Sequence, residues 1–255
     1  MLFAARSHIG LVRQMNQDSF GLLQGTKDPW QLTVIADGMG GASAGEVASK
    51  LATETVLNLL SNKVKQPDIN PEQELLTAVQ EANQKIWLTA QSAEIYAGMG
   101  TTLVAALTSP SIVAIVHIGD SRAYLLSEGV LQQVTQDHSL VGELVRRGQL
   151  SEEEALTHPQ RNIVTRSLGT ASDSEPEYHS FAWGIGDILL LCTDGLSNLL
   201  RSHELRDLLQ PLVGAHSDTE VEECAQRLVG LALERGAPDN ITLALVVHQE
   251  GTVSE

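Results

Sequence analysis

Five aspartates stand at the ends of apolar segments, where their side chains could meet and do chemistry. Asp37 follows the apolar run 32–36, and Asp194 follows the run 188–192 after one threonine. Asp120 follows the run 112–118 after one glycine, whereas Asp18 and Asp239 each stand just before a predicted strand. Short apolar runs rich in β-branched residues predict buried strands. We therefore expect five carboxylates to converge at one end of a sheet.

Carboxylates gathered in this way repel one another and raise one another's pKa values unless a cation neutralises them. Sets of oxygen ligands suit hard divalent ions such as Mg²⁺ and Mn²⁺ and do not suit zinc. A single aspartate at a strand end can equally cap the following helix. Because the pattern occurs five times, it predicts a metal centre. Gly38, Gly40 and Gly41 after Asp37 are expected to take positive φ and to let a ligand approach the backbone.

Arg13 stands five residues before Asp18, and its planar guanidinium group matches two oxygens of a phosphate. The sequence lacks the motifs of other proteins that act on phosphate groups. The positions six residues after the two cysteines hold Asn198 and Gly230, so the arginine of a cysteine-based phosphatase is missing. The chain contains no P-loop, zinc-protease or Gly-x-Ser-x-Gly motif, although composition alone leaves a Ser-His-Asp triad open.

The 255-residue chain has a net charge of −16, which argues against nucleic acid or an anionic membrane as partner. Its N-terminal segment lacks the pattern of a signal peptide, and no apolar run approaches membrane-spanning length. Cys192 and Cys224 lie in apolar surroundings and are predicted to be buried thiols. We expect a cytoplasmic protein.

Apolar periodicity predicts two long consecutive helices, at 43–60 and 71–91, between groups of strands. Further helices are predicted at 137–148, from 151 onward and after Ser217, whereas 158–176 is predicted to be irregular. This order favours an α+β layered sandwich over a βαβ repeat. Residues 1–248 are predicted to form one domain, followed by a polar tail at 249–255. Strands are predicted at 2–7, 19–24, 32–37, 101–108, 111–118, 122–126, 130–134, 177–182, 187–193 and 241–247.

Six short motifs, in this order, resemble those of the metal-dependent type 2C protein phosphatases (the PPM family), and especially its compact bacterial members. They are RQMNQD at 13–18, ADGMGG at 36–41, GMGTT at 98–102, GDSR at 119–122, TDGLS at 193–197 and DNIT at 239–242. Each motif is weak alone, but six in the right order are specific. The resemblance covers residues 13–247, and the segment 137–176 resembles the variable flap of the family.

The resemblance implies a four-layer α-β-β-α sandwich, with two antiparallel sheets flanked by helix pairs. It also implies a protein serine/threonine phosphatase that hydrolyses phosphoserine and phosphothreonine monoesters. In this family, hydroxide that bridges two Mn²⁺ or Mg²⁺ ions attacks phosphorus directly. The expected substrates are phosphoproteins of a serine/threonine kinase, in signal transduction, and the expected state is a monomer.

By matching positions, the resemblance also implies a role for each residue of the site. Asp37 would bridge both metals, and Gly38 would offer its backbone carbonyl to one of them. Asp194 and Asp239 would complete the other metal's shell, with Asp18 orienting a metal-bound water. The remaining implied roles are a third, weaker metal site at Asp120 with Asp194, phosphate binding by Arg13, and support from Asn240.

Three points stay open at this stage. Met39 stands where eukaryotic members carry a histidine proposed as general acid, so the proton donor could be His138, His158 or a metal-bound water. A catalytically inactive phosphoprotein-binding module would also fit the resemblance, although all five aspartates are present. A small-molecule phosphoesterase on the same scaffold is the third alternative.

Overall fold

Eleven strands and seven α-helices form the part of the chain that the computed structural model describes, which is residues 1–25, 29–41 and 44–249. The strands are β1 (Leu2–His8), β2 (Asp18–Leu23), β3 (Gln31–Met39), β4 (Gly100–Thr101), β5 (Leu103–Thr108), β6 (Ile112–Ile118), β7 (Arg122–Ser127), β8 (Val130–Gln133), β9 (Glu177–Ala182), β10 (Ile188–Cys192) and β11 (Ile241–Val247). The helices are α1 (Ala44–Leu60), α2 (Pro71–Ser92), α3 (Leu140–Arg146), α4 (Glu152–Thr157), α5 (Asp194–Ser197), α6 (Ser202–Leu209) and α7 (Asp218–Glu234). Residues 250–255 of the predicted tail and Ser43, the predicted start of the first helix, lie outside the described residues.

The strands form two antiparallel sheets. Sheet A has the order β1-β11-β10-β7-β8, and sheet B has the order β2-β3-β5-β6-β9, with β4 paired to the end of β3. Neighbouring strands are antiparallel throughout both sheets. The predicted α+β class with two antiparallel sheets is confirmed.

Three apolar layers hold the sheets and helices together. Ile35, Val104, Leu189 and Val246 belong to the layer between the two sheets. Helices α1 and α2 cover the outer face of sheet B, and α5, α6 and α7 cover the outer face of sheet A. The result is the expected α-β-β-α order of layers, with a helix pair on one side and three helices on the other. No helix among the described residues is long and apolar enough to span a bilayer.

Local signals set most element boundaries. The side chain of Asn70 accepts from the N–H of Gln73 and caps α2, which begins at Pro71 as predicted. Ser151 and Ser217 form capping boxes at the starts of α4 and α7, two helices that the sequence predicted. The segment 158–176 contains neither helix nor strand, as predicted. Helices α5 and α6 were not predicted.

Candidate active site

The five aspartates come from both sheets and meet at one end of the sandwich. Asp18 and Asp37 lie opposite each other on β2 and β3, and Asp120 follows β6, so these three belong to sheet B. Asp194 follows β10 and Asp239 precedes β11, both of sheet A. The prediction of one sheet is therefore wrong, because the chain alternates between the two sheets. The carboxylates nevertheless lie close enough that the charges of neighbouring aspartates raise the pKa values of Asp37 and Asp194.

The backbone of Asp37 is fixed by two threonines. Its carbonyl oxygen accepts from the Thr101 hydroxyl at 2.8 Å and from the Thr102 N–H at 2.9 Å. Its own N–H donates to the Thr102 hydroxyl at 3.0 Å, and that hydroxyl bonds the Ser121 hydroxyl at 2.7 Å. These bonds give the Gly-Thr-Thr motif at 100–102 a physical function. Thr102 interrupts the predicted strand 101–108 and separates β4 from β5 while it holds Asp37.

Position 38 requires glycine because its surroundings are closely packed, and not because of its backbone conformation. A Cβ atom at Gly38 would lie 2.0 Å from the carbonyl oxygen of Gly45, at the start of α1. Among the three glycines after Asp37, only Gly40 has positive φ, at +139°. The expectation of positive φ at Gly38 and Gly41 is therefore wrong. The absence of a side chain lets α1 pack directly against the end of β3, beside Asp37.

Hydrogen bonds also link the two sheets through the site. The Thr193 hydroxyl, at the end of β10, donates to Asp18 Oδ2 at 3.0 Å. Asn198 Nδ2 donates to Asp194 Oδ2 at 3.1 Å. The sequence reasoning missed both supporting residues. The four-residue spacing from Asp194 to Asn198 was the available signal, because such a pair lies on one face of a helix.

Asn240 fixes the segment that carries Arg13. The Asn240 side chain is buried, and its Oδ1 accepts from the N–H of Gln17 at 2.8 Å. Its Nδ2 donates to the carbonyl oxygens of Ile9 and Met15, at 2.8 and 2.9 Å. One side chain at the start of β11 thus holds both ends of the connection between β1 and β2. Asn240 therefore supports the site by fixing the backbone on both sides of Arg13.

Arg13 lies at the rim of the carboxylate cluster. Its Nη2 atom is 2.7 Å from Asp239 Oδ2, and its side chain is 51% exposed. The hydrogen bond to Asp239 raises the pKa of Arg13 further, so the guanidinium keeps its charge. Arg122, the arginine of the motif at 119–122, is bound to Asp137 instead. Its Nε and Nη2 atoms donate to the Asp137 carboxylate at 2.7 to 3.1 Å.

Burial is the largest cause that raises the pKa values of Asp18, Asp37, Asp120 and Asp194, and repulsion from neighbouring carboxylates raises them further. The pKa is raised to about 7 for Asp18, to about 8 for Asp120 and to about 6 for Asp194. The pKa of Asp37 is raised well above its ordinary value by burial and by the charges of the other four aspartates. Asp18 Oδ1 is buried and has no hydrogen-bond partner among the described residues. An unpartnered oxygen and an excess of negative charge are the features that divalent cations satisfy, so this oxygen-only donor set fits such ions.

A groove of about 530 Å³ opens beside the cluster. Asp120 and Asp194 line it, as do Arg146, Arg161 and Arg201. The first part of the segment 137–176, including α3, forms one wall, and the start of α6 forms part of the other. The groove thus extends from the carboxylates along a surface that carries arginines, in a chain whose net charge is −16.

Neither histidine considered as proton donor is among the described residues that line the groove. His138 is 1% exposed, and its Nδ1 accepts from the N–H of Gly119 at 3.2 Å. The Nε2 of His138 lies 3.0 Å from Glu177 Oε1. His158 Nδ1 accepts from the N–H of Gln160 at 3.2 Å. His138 therefore serves to anchor the backbone beside Asp120, and the geometry offers no support for it as the acid.

Comparison with known proteins identifies the family. The family described as Protein phosphatase 2C matches residues 6–231. The chain is 40% identical to the serine/threonine phosphatase stp of Listeria welshimeri over 251 residues, covering 94% of this chain and 93% of the relative. The chain belongs to the protein phosphatase 2C family. The resemblance drawn from the six motifs is confirmed, and the chain is a phosphoprotein phosphatase.

Solved structures of protein phosphatase 2C enzymes share the fold. The crystal structure of the Mycobacterium tuberculosis serine/threonine phosphatase PstP/Ppp superposes with a TM-score of 0.84 at 39% identity, covering 97% of this chain and 98% of that one. A structure of the PstP catalytic domain in complex with two manganese ions has a TM-score of 0.81 at 36% identity, covering 95% and 96% of the two chains. Metal dependence is thus a property of this phosphatase family.

Without divalent metal, the phosphatase should lose stability as the pH rises from about 5 to about 8. The folded-state pKa values of Asp18 and Asp120, about 7 and about 8, exceed the value of about 3.9 in an unfolded chain. The folded state therefore binds more protons in this window, and stability present at low pH is lost as the aspartates ionise.

The urea midpoint of metal-stripped protein in EDTA measures this effect. The midpoint at pH 8 should lie below that at pH 5, and Mn²⁺ should restore it at pH 8. In Asp37→Asn, which carries one acid fewer, the difference between the two midpoints should be smaller. A midpoint that rises with pH in EDTA would contradict the electrostatic account.

Proposed function

We propose that this phosphatase hydrolyses phosphoserine and phosphothreonine monoesters in proteins, and that it depends on divalent metal. The observation that carries the proposal is the convergence of five buried or partly buried carboxylates with Arg13 at their rim. The Listeria relative named as a serine/threonine phosphatase and the manganese-containing PstP structure support the same function. The expected antagonist is a serine/threonine kinase acting on the same phosphoproteins in the cytoplasm. Residues 1–248 would act as one domain, in a monomer, with 137–176 as its flap.

We propose that two divalent ions, Mn²⁺ or Mg²⁺, are held by Asp37, Asp194, Asp239 and the carbonyl oxygen of Gly38. A third, weaker site would use Asp120 together with Asp194. The raised pKa values of Asp37 and Asp120 support this assignment, because a compensating positive charge would let these buried carboxylates ionise at neutral pH. When bound, such ions lower the pKa of water toward neutrality and supply positive charge to the phosphoryl oxygens.

The nucleophile proposed is hydroxide derived from water, which attacks phosphorus directly without a covalent phosphoenzyme. Asp18 would orient that water, because its Oδ1 atom has no hydrogen-bond partner among the described residues. Cys192 is fully buried, and burial raises the pKa of its thiol to about 12, which disfavours it as the nucleophile. These features support direct hydrolysis over the chemistry of cysteine-based phosphatases.

Arg13 would hold the phosphate. Its guanidinium carries five N–H donors in a planar fork, and the structure engages one end of that fork with Asp239. Cations bound beside Asp239 would neutralise its charge and lower its attraction for Arg13. The guanidinium would then be available to two phosphoryl oxygens, a pairing that is stronger than a bond between neutral groups.

The groove favours a protein substrate over a small phosphate ester. Its volume of about 530 Å³ exceeds what a phosphate needs, and Arg161 and Arg201 line it together with Asp194. A polypeptide on either side of the phosphorylated residue could lie along this surface. Its arginines would favour backbone carbonyls and acidic side chains.

The decisive experiment measures phosphate release from a phosphothreonine peptide by metal-stripped protein, with and without Mn²⁺. We expect release only with Mn²⁺, and almost none from Asp37→Asn or Asp239→Asn, since each variant loses a metal carboxylate. No acid-stable phosphoprotein intermediate should appear during turnover. If the folded wild-type protein released no phosphate with Mn²⁺ or Mg²⁺, the phosphoprotein-binding alternative would replace the enzyme proposal.

Arg13→Ala should lower kcat/KM for the phosphopeptide by roughly 100-fold, which is typical for removal of a donor to transition-state charge. Steady-state kinetics at saturating Mn²⁺ would measure the effect. Arg227→Ala is the matched control, because Arg227 is exposed on α7, which covers the outer face of sheet A. Equal kcat/KM values in the two variants would remove Arg13 from the phosphate site.

Arg161→Glu should raise KM for a phosphopeptide with acidic flanking residues by up to about fivefold, the scale expected for an exposed ion pair. Hydrolysis of p-nitrophenyl phosphate, which is too small to fill the groove, should not change. Arg147→Glu is the control, since Arg147 is 69% exposed and is not among the residues that line the groove. A similar change for both substrates would argue against peptide binding in the groove.

A further inference from the structure

A second group of potential ligands lies where β6 and β9 pair, apart from the five aspartates. Glu177 of β9 is directly opposite His117 of β6, and His179 stands two residues farther along β9. All three side chains point to the same face of sheet B, because alternate residues of a strand share a face. The rings of His117 and His179 are stacked with centroids 5.6 Å apart, and His138 stacks on the other side of His117 at 4.8 Å.

The donor atoms of this group are close together. One nitrogen of each of His117 and His179 and one carboxylate oxygen of Glu177 all lie within 4.8 Å of one another. The Nδ1 atom of His117 and the Nε2 atom of His179 are buried, and neither has a hydrogen-bond partner among the described residues. Buried polar atoms without partners are rare in folded proteins, and each indicates an unmet interaction.

The protonation of His117 leaves a lone pair available for a metal. His117 is completely buried, and its Nε2 lies 2.9 Å from the carbonyl oxygen of Gln136. A carbonyl oxygen can only accept, so Nε2 carries the proton and Nδ1 is bare. Burial lowers the pKa of His117 to about 4, so the ring is neutral at physiological pH. Metal-binding histidines commonly donate their other N–H in this way to a backbone carbonyl.

The donor types distinguish this group from the aspartate centre. Imidazole ligands suit zinc and other late transition metals, whereas oxygen-only sets suit Mg²⁺ and Mn²⁺. Two histidines and one carboxylate form a known zinc ligand set, with a further position left for water. Ligand bonds of about 2.0–2.2 Å require the donors to lie slightly closer together than they do here. Glu177 and His179 can move closer, because both are partly exposed on β9, the edge strand of sheet B.

We propose that His117, His179 and Glu177 form a binding site for a zinc-like transition-metal ion, separate from the aspartate centre. Glu177 already has two partners. Its Oε1 atom lies 3.0 Å from His138 Nε2 and accepts from Arg166 Nη1 at 3.4 Å, so a bound ion would compete with these contacts for the carboxylate. An ion bound here would engage one nitrogen of each histidine together with the carboxylate, since these donor atoms lie within 4.8 Å of one another.

The test is Zn²⁺ binding to the folded full chain, stripped of metal and then kept in excess Mg²⁺ to fill the aspartate centre. Calorimetry should detect one equivalent of Zn²⁺ per chain, in both the wild type and Asp37→Asn. His179→Gln should lose it or bind at least about tenfold more weakly, as expected when a zinc site loses support. Co²⁺ in place of Zn²⁺ should give a visible absorption band that disappears in the same variant.

Two further variants complete the test. His117→Gln removes the buried ligand and should also lose Zn²⁺; circular dichroism would identify misfolding, in which case His179→Gln decides the question. His216→Gln, which changes an exposed histidine before α7, should bind Zn²⁺ like the wild type. The proposal is overturned if the wild type binds no Zn²⁺ in excess Mg²⁺, if His179→Gln binds it unchanged, or if only Asp37→Asn loses it. Because binding is measured directly, these outcomes are independent of whether the phosphatase proposal holds.

Discussion

The repulsion among five carboxylates is the constraint on which the rest of this structure depends. Burial and neighbouring charges raise the pKa values of Asp18, Asp37, Asp120 and Asp194, so the cluster opposes folding at neutral pH unless cations enter it. The sandwich withstands this because three apolar layers lie behind the cluster. The divalent ions proposed for this site would remove a cost that the folded protein already bears.

Short polar side chains hold the aspartates in a defined geometry. Thr101 and Thr102 fix the backbone of Asp37, while Thr193 connects sheet A to Asp18. Asn240 holds the segment before β2 through three hydrogen bonds, and Gly38 lets α1 approach the end of β3. Such groups restrict the carboxylates without adding charge. The proposed metal centre would therefore be preorganised, and little reorganisation would be needed when a phosphate enters.

Local signals in the sequence predicted most elements, and the six motifs identified the family and its fold. The cap at Asn70, the box at Ser217 and the bounds of β11 depend on neighbouring residues, so a single sequence reveals them. The distribution of the aspartates over two sheets was missed, because it depends on strand order and not on local pattern. The contacts of Asn240, and the pairing that brings His117 to Glu177, likewise depend on residues far apart in the chain.

The segment 137–176 is attached to sheet B at a fixed point, beside Asp120. Asp137 is bound by the guanidinium of Arg122, and His138 exchanges hydrogen bonds with Gly119, so the segment leaves the sheet at a fixed point. Beyond that point, insertions and substitutions would reshape the wall of the groove without moving Asp120. A change of substrate preference would therefore require changes in one surface segment only, while the carboxylates kept their positions.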